Sequence, residues 1–443
     1  MERLITPRKK ITRLKSGISL TDIMELNALS KKSYTLNTNF ELGDKTTGEG
    51  KFSPVSEDVK QNNGTNTSIV AKSAEAGEEL LQPGSDIQPK VSTEDVHSLA
   101  QRLYGITIGD FKELISYDDR NYFITEDKNV KNPLITRTWP HGYVMKILNA
   151  HDSKEPEFID AQNELLIHLS KQGIQCPRPI VNLHGKNFSV EKINGVNYVV
   201  RLLEFIPGKI FHQVTKSNYL FFQSGEYLAK VNRAMKDFNH DAYKTHKTLW
   251  NLQSISQLKQ FLYVLTDHGR KLIVEQIIEA FETHVLPKVD KMTKQVIHGD
   301  YNEQNIIVEQ KRKNSDEFKV CGIIDFGDTS YSPIIFEIGV AMTYMILQAK
   351  SLVAGGVFLA GYDTNKPLKA EEKKYLKYCV AARLAQSLTM GAYTHSLHPS
   401  NDYVLVTQET GWKMIEDLWV HNFEGIDEIW ADAADHYLKQ SDK

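Results

Sequence analysis

His298-Gly-Asp300-Tyr-Asn-Glu-Gln-Asn305, followed by Ile324-Asp325-Phe-Gly-Asp328, is the stretch that decides the reading of this chain. An aspartate, an asparagine five residues later and a second aspartate after an apolar strand have the order and spacing of a phosphoryl-transfer centre. In that chemistry Asp300 orients or deprotonates an alcohol, and Asn305 and Asp325 offer Mg²⁺ the hard oxygen ligands it prefers. His298 is expected to anchor the loop rather than react. Taken singly each piece is weak, because His-Gly-Asp is a common turn and Asp-Phe-Gly is only a tripeptide; the joint order carries the weight.

The upstream residues supply the remaining parts. A strand over 143–148 carries Lys146 in an apolar frame, in the Val144-x-Lys146 pattern of a cation that pairs nucleotide phosphates and a helix carboxylate. A lysine at the end of a half-buried strand ordinarily snorkels to solvent, so this reading leans on the downstream motif. Asp160 and Glu164, one turn apart on a helix over 158–169, are the candidate partners, and the spacing does not choose between them. Short strands over 111–116 and 122–125 flank Tyr117-Asp-Asp-Arg-Asn121, which stands where a glycine-rich phosphate loop would be. Ser116, Asn121 and backbone N–H groups are expected to face the nucleotide, with Asp118 and Asp119 turned away. Strands over 188–192 and 198–205 lead to Pro207-Gly208, so 204–208 reads as a hinge, with the backbone of Glu204 and Phe205 meeting a purine edge.

Composition sets the frame. The chain has 443 residues, 41% hydrophobic, with 53 Lys+Arg against 56 Asp+Glu, enough for two lobes and without the charge excess of a nucleic-acid or membrane-surface binder. The apolar run over 334–347 is interrupted by Glu337 and shorter than the ~20 residues a bilayer requires, so a buried helix is expected. Three scattered cysteines indicate neither a disulfide framework nor a zinc site. Residues 1–92 read as a flexible polar extension, 93–206 as a nucleotide-binding lobe and 207–443 as a helical lobe with the catalytic loop and acceptor site. Helices are expected over 254–266, 271–286, 334–352, 370–392, 402–422 and 426–438. The fold class is α+β, a protein-kinase-like two-lobe fold with a small antiparallel-sheet N-lobe and a larger, mainly helical C-lobe. The basic N-terminus lacks the apolar core of a secretory signal; the cytoplasm is the expected compartment, with a mitochondrial presequence as the alternative.

No glycine-rich loop and no long activation segment follow, which disfavours the protein kinases. The sequence resembles the aminoglycoside phosphotransferase/choline kinase superfamily, and within it the hydroxylysine kinase branch, from about residue 93 onward. The resemblance rests on 116–121, Tyr143-Val-Met-Lys146, Val200-Arg-Leu-Leu203, Leu249-Trp-Asn-Leu252, the two motifs quoted first, Phe336-Glu337, Gly355-Gly356, Gln386-Ser387-Leu388 and Thr410-Gly-Trp412. It implies transfer of the γ-phosphate of GTP to the hydroxyl of 5-hydroxy-L-lysine with Mg²⁺; these small molecules are the expected partners, with no nucleic acid or membrane and the oligomeric state open. An acceptor with two ammonium groups and a carboxylate calls for acids and an arginine, and Asp328, Glu337 and Arg383 are the candidates. Glu337 has an equally weighted alternative as a purely structural cap or pair. Trp250, Tyr331 and Trp412 are candidates for an aromatic wall, with core packing the plainer role for each. The competing readings are an ATP-dependent choline, ethanolamine, homoserine or aminoglycoside kinase, and an inactive kinase-fold binding protein.

Overall fold

The computed structural model describes residues 87–441 apart from 115, 117, 128, 136–137, 314 and 398–407, all within the unit Glu75–Lys443. The extension expected over 1–92 therefore lies almost wholly outside the described residues. Helix α1 (Thr93–Tyr104) opens on a reciprocal cap: Asp95 N donates to Ser92 Oγ at 3.1 Å, and Ser92 N donates to Asp95 Oδ2 at 2.9 Å.

Six antiparallel strands follow, β1 (Ile108–Leu114), β2 (Arg120–Glu126), β3 (Tyr143–Ile147), β4 (Pro179–Ile180), β5 (Ser189–Ile193) and β6 (Val196–Glu204). Their order is β1-β2-β3-β6-β4, with β5 also paired to β6. Helix α2 (Pro156–Lys171) lies between β3 and β4 in the chain. Side-chain alternation along β3 and β6 explains why both read as nearly unbroken apolar runs. Met145, Ile147, Val200 and Leu202 join the core beneath α1, whereas Val199 and Leu203 join Phe158, Ile159, Leu165 and Leu169 of α2 in the larger core shared with the helical lobe. The register sets Asn121 opposite Lys146 and Lys146 opposite Arg201, so one face of the sheet presents all three side chains.

After β7 (Lys209–Ile210) the chain becomes helical, with α3 (Asn218–Ala234), α4 (His268–His284), α5 (Ile334–Ala349), α6 (Val353–Asn365), α7 (Leu376–Leu397), α8 (Gln408–Glu416) and α9 (Ile426–Ser441). Every residue of α5 from Ile334 to Leu347 is buried, as befits a helix that is apolar on all sides at the centre of a lobe. Among the described residues no helix is long and apolar enough to cross a membrane.

The helix expected over 402–422 begins outside the described residues and is otherwise α8 and a π-helical turn, Asp417–Asn422; two further helix expectations need correction. The segment Leu252–Val264 is a 3-10 helix, and its buried Leu252, Ile255, Leu258 and Phe261 recur every third residue, the period of that helix and not of the α-helix expected there. The helix expected over 370–392 is a single turn, Ala370–Lys373, followed by α7.

The catalytic segments are placed by short ladders. Antiparallel β9 (Ile306–Gln310) pairs with β10 (Phe318–Ile323) and β7, while β8 (Lys294–Ile297) pairs with β11 (Ser330–Pro333). The loop 298–305 thus runs from β8 into β9, and 324–329 runs from β10 into β11, so the two ladders bring both motifs to one edge of the helical lobe. The result is a protein-kinase-like two-lobe α+β fold.

Candidate active site

The loop around Asp300 is fixed from behind. His298 is fully buried, and its ring bridges two backbone groups: Nδ1 accepts from Asp300 N at 3.2 Å and Nε2 lies 3.0 Å from Ile324 O. Burial lowers the imidazole's affinity for a proton, which suits a neutral ring that donates through Nε2. Gly299 is at φ +84°, and a Cβ there would lie 2.2 Å from Asp328 O, so the two motifs touch at a point where only glycine fits. Gly299 N donates to Glu337 Oε2 at 2.8 Å.

Asp300 is held at both oxygens. Oδ2 accepts from Asn302 Nδ2 at 2.7 Å and Asn305 Nδ2 at 2.9 Å, while Oδ1 is paired with the Arg383 guanidinium. Because Asn305 spends its amide nitrogen on Asp300, its amide oxygen faces the opposite way. Asp325 has φ +63°, a conformation uncommon for a residue with a side chain and one that clusters at functional sites. Its Oδ1 lies 3.1 Å from Lys146 Nζ, and that ammonium holds the carboxyl below its ordinary range against the opposing effect of burial. Asn305 and Asp325 together form an all-oxygen donor pair, the chemistry Mg²⁺ accepts.

Lys146 does not snorkel: it is 7% exposed and also meets Asp119 Oδ2 at 3.5 Å. Burial disfavours its ammonium, but Asp325 and Asp119 outweigh burial and raise its pKa. The expectations for Asp160 and Glu164 fail here. Both are exposed on α2, and the buried polar positions of that helix are Gln162 and Asn163, whose amide oxygens accept from Arg201 at 2.8 and 3.2 Å. Asp119, expected to turn away, instead points at Lys146, while burial beside Asp119 pushes Asp118 up to about 7. Ser116 Oγ donates to Asp119 O, which folds the loop on itself, and Asn121 stands beside Lys146 with a buried, unpartnered Oδ1.

The hinge also differs from expectation. Phe205 N donates to Gly142 O at 3.1 Å and Trp139 Nε1 donates to Phe205 O at 2.8 Å, so both backbone groups of Phe205 are spent within the protein. Glu204 N donates to Arg178 O at 2.9 Å, and its carboxylate takes a two-bond ion pair from Arg178. Phe123 and Val144 are half-buried apolar residues on the same sheet face as Lys146.

On the acceptor side the structure brings Asp328 and Arg383 to Asp300 and leaves Glu337 behind the loop. Thr248 Oγ1 donates to Asp328 Oδ1 at 3.0 Å, and burial next to Asp300 pushes this carboxyl up to about 8. Glu337 is fully buried as an anchor for Gly299, with burial pushing it up to about 7; the helix that carries it faces the back of the loop, so it is not an acceptor ligand. Arg383 is 1% exposed and enclosed by Asp300, Tyr344 OH at 3.1 Å and Trp250 O at 3.1 Å, with its guanidinium over the Trp250 ring. Its guanidinium is thus fully engaged within the protein, one branch of it on Asp300. Trp412 packs in the core against Arg270, and Tyr331 is exposed. The sequence reading missed Glu303, buried beside Asp300 with an unpartnered Oε2 and pushed up to about 7 by burial. Its only signal was its place within the catalytic loop.

A loop aspartate held by the asparagine five residues on, beside a second aspartate paired with a buried lysine, is the donor set that phosphoryl transfer requires. The family model described as "Phosphotransferase enzyme family" matches residues 110–370, and the chain belongs to that family. It is an enzyme that transfers phosphate to an alcohol group of a small molecule. Among its relatives are the hydroxylysine kinase of Xenopus laevis, 32% identical over 79% of this chain and 96% of that protein, and that of Mus musculus, 30% identical over 80% and 96%. Among solved structures, amicoumacin kinase hAmiN superposes with a TM-score of 0.54 over 74% of this chain and 94% of its own, at 18% identity, and so shares the fold.

Proposed function

We propose that this enzyme transfers the γ-phosphate of GTP to the side-chain hydroxyl of 5-hydroxy-L-lysine, yielding GDP and 5-phosphohydroxylysine. The observation that carries the acceptor is the surplus of acid around Asp300. Burial near Asp300 holds Asp328 and Glu303 above the ordinary carboxyl range while Arg383 is already paired with Asp300, and the ammonium groups of a dicationic acceptor would favour their charged forms. The similarity to hydroxylysine kinases over four-fifths of the chain supports the same reading, and the choice of GTP rests on the resemblance of the sequence motifs and not on any hinge side chain.

In this account Asp300 takes the hydroxyl proton as the acceptor oxygen bonds to the γ-phosphorus and the bond to the β-phosphate oxygen breaks. Its orientation comes from Asn302, Asn305 and Arg383, which leave the carboxylate little freedom. Lys146 offsets charge on the nucleotide phosphates. Asn305 and Asp325 would hold Mg²⁺, which when bound neutralises phosphate charge. The neutral His298 takes no proton in the cycle and keeps the loop in register with Ile324.

An initial-rate panel of 5-hydroxy-L-lysine, L-homoserine, choline, ethanolamine and kanamycin, each with GTP and ATP, tests the proposal. Hydroxylysine with GTP should give the highest kcat/KM. Turnover of another acceptor with none of hydroxylysine overturns the acceptor, and an ATP preference overturns the donor.

A further inference from the structure

The helix that packs behind Lys146 offers it no carboxylate. At the inward positions of α2 stand the amides Gln162 and Asn163, and both are engaged by Arg201. Arg201 is itself 2% exposed and directly opposite Lys146 in the sheet, so two buried cations lie side by side. Such a pair repels unless an acid is fixed nearby.

Two acids reach Lys146. Asp325 belongs to the opposite lobe, and the proposed function gives it a second task at the metal. Asp119 belongs to the loop between β1 and β2, on the lysine's own lobe, and it is built in. Its Oδ1 accepts from Asn149 N at 2.9 Å and Asn149 Nδ2 at 3.2 Å, which turns Oδ2 toward Lys146 Nζ at 3.5 Å. Asn149 is 4% exposed and locked in turn, its Oδ1 accepting from His151 N at 3.0 Å and Asp152 N at 2.9 Å. A carboxylate that receives two N–H bonds on one oxygen and faces an ammonium with the other has a defined direction.

We infer that Asp119 is the positioning residue for Lys146, supplying from the phosphate-side loop the counter-charge that α2 lacks. Were Asp325 given to a metal, Asp119 would still hold the ammonium. Placing the acid on the loop also ties the loop to Lys146 of β3. The inference rests on Lys146 serving the nucleotide, and the experiment separates the two.

Asp119→Asn, Asp119→Glu, Asp160→Asn, Glu164→Gln and Lys146→Met are compared in the full chain for kcat and for KM of the nucleotide. The KM of the acceptor and the melting temperature of each variant are measured alongside. Asp119→Asn should lower kcat/KM for nucleotide by about tenfold or more, the size of a lost charge-assisted bond. The loss should fall on the nucleotide's KM and on kcat, with the acceptor's KM unchanged. Asp119→Glu should recover most of the loss, and the two α2 variants should stay within about twofold of the parent, as exposed charges do. If Asp119→Asn does not fold, Asn149→Ala, which releases Asp119 Oδ1 and keeps its charge, should give a smaller loss of the same kind. Parental kcat/KM in Asp119→Asn, a loss that Asp119→Glu does not relieve, or a larger loss in Asp160→Asn or Glu164→Gln would each overturn the assignment. Retained turnover in Lys146→Met would instead reject the role of the lysine.

Discussion

Arg383→Met breaks the most enclosed ion pair of the site, and the structure sets the size of the effect. Arg383 is 1% exposed, whereas the Asp300 side chain is 20% exposed, so removing the guanidinium leaves a carboxylate only partly able to reach water. Deleting one partner of a buried pair costs about 3–5 kcal/mol, and the partial exposure of Asp300 places this case near ~3. The change also strands Tyr344 OH and Trp250 O, each of which loses a donor within the core. Methionine fills part of the space and preserves the apolar stem. Urea unfolding at pH 7 of the parent, Arg383→Met, Asp300→Asn and the double variant forms a cycle in which the pair should show a coupling of about 1.5–3 kcal/mol, the double variant losing less than the sum of the singles. Additivity within ~0.5 kcal/mol would refute the claim that Arg383 is there to hold Asp300.

Other predictions bear on separate links. Gly299→Ala should abolish turnover, because a side chain at φ +84° would overlap Asp328 O and part the two motifs; activity above about a tenth of the parent in a steady-state assay would contradict this. Glu337→Gln should make stability less dependent on pH between about 4.5 and 7. The folded carboxyl binds its proton more tightly than the unfolded one, so its contribution is complete below the unfolded value and is lost as pH rises through about 7. Paired urea curves at pH 5 and pH 7 measure that slope, and an unchanged slope would sink the assignment. Lys146→Met should cost roughly 100-fold in kcat/KM for nucleotide, the loss expected when a charge-stabilising donor is removed. A loss confined to the acceptor's KM would contradict it.

The fold was legible where periodicity and burial agree. The uninterrupted apolar run of α5 reads as a buried helix and is one, and the strands at 143–147 and 196–204 emerge because both of their faces are covered. The 3-10 stretch was not, since a three-residue spacing of Leu252, Ile255, Leu258 and Phe261 also satisfies half of a helical pattern. At the site, the order of Lys146, Asp300, Asn305 and Asp325 could be read because the chemistry fixes spacing within each loop. Partners across the fold could not. Asp160 and Glu164 had the right charge on the wrong face of α2, and the acid that reaches Lys146 comes from a loop whose path no periodicity encodes. Glu337 was found as a charge too costly to bury alone and Arg383 as a partner for an acceptor carboxylate, but whether such a charge faces a ligand or the back of a loop is a matter of packing.

The central claim is that Asp300 directs phosphate onto the hydroxyl of 5-hydroxy-L-lysine. Phosphorus NMR of a reaction containing GTP, Mg²⁺ and 5-hydroxy-L-lysine, followed in parallel with the parent enzyme and Asp300→Asn, tests it most directly. The parent should convert GTP to GDP with equimolar growth of a phosphate monoester resonance coupled to the C5 proton. Asp300→Asn should form no monoester while still binding Mg²⁺ and GTP. Inorganic phosphate as the sole product of the parent, or equal monoester formation by both proteins, would contradict the account.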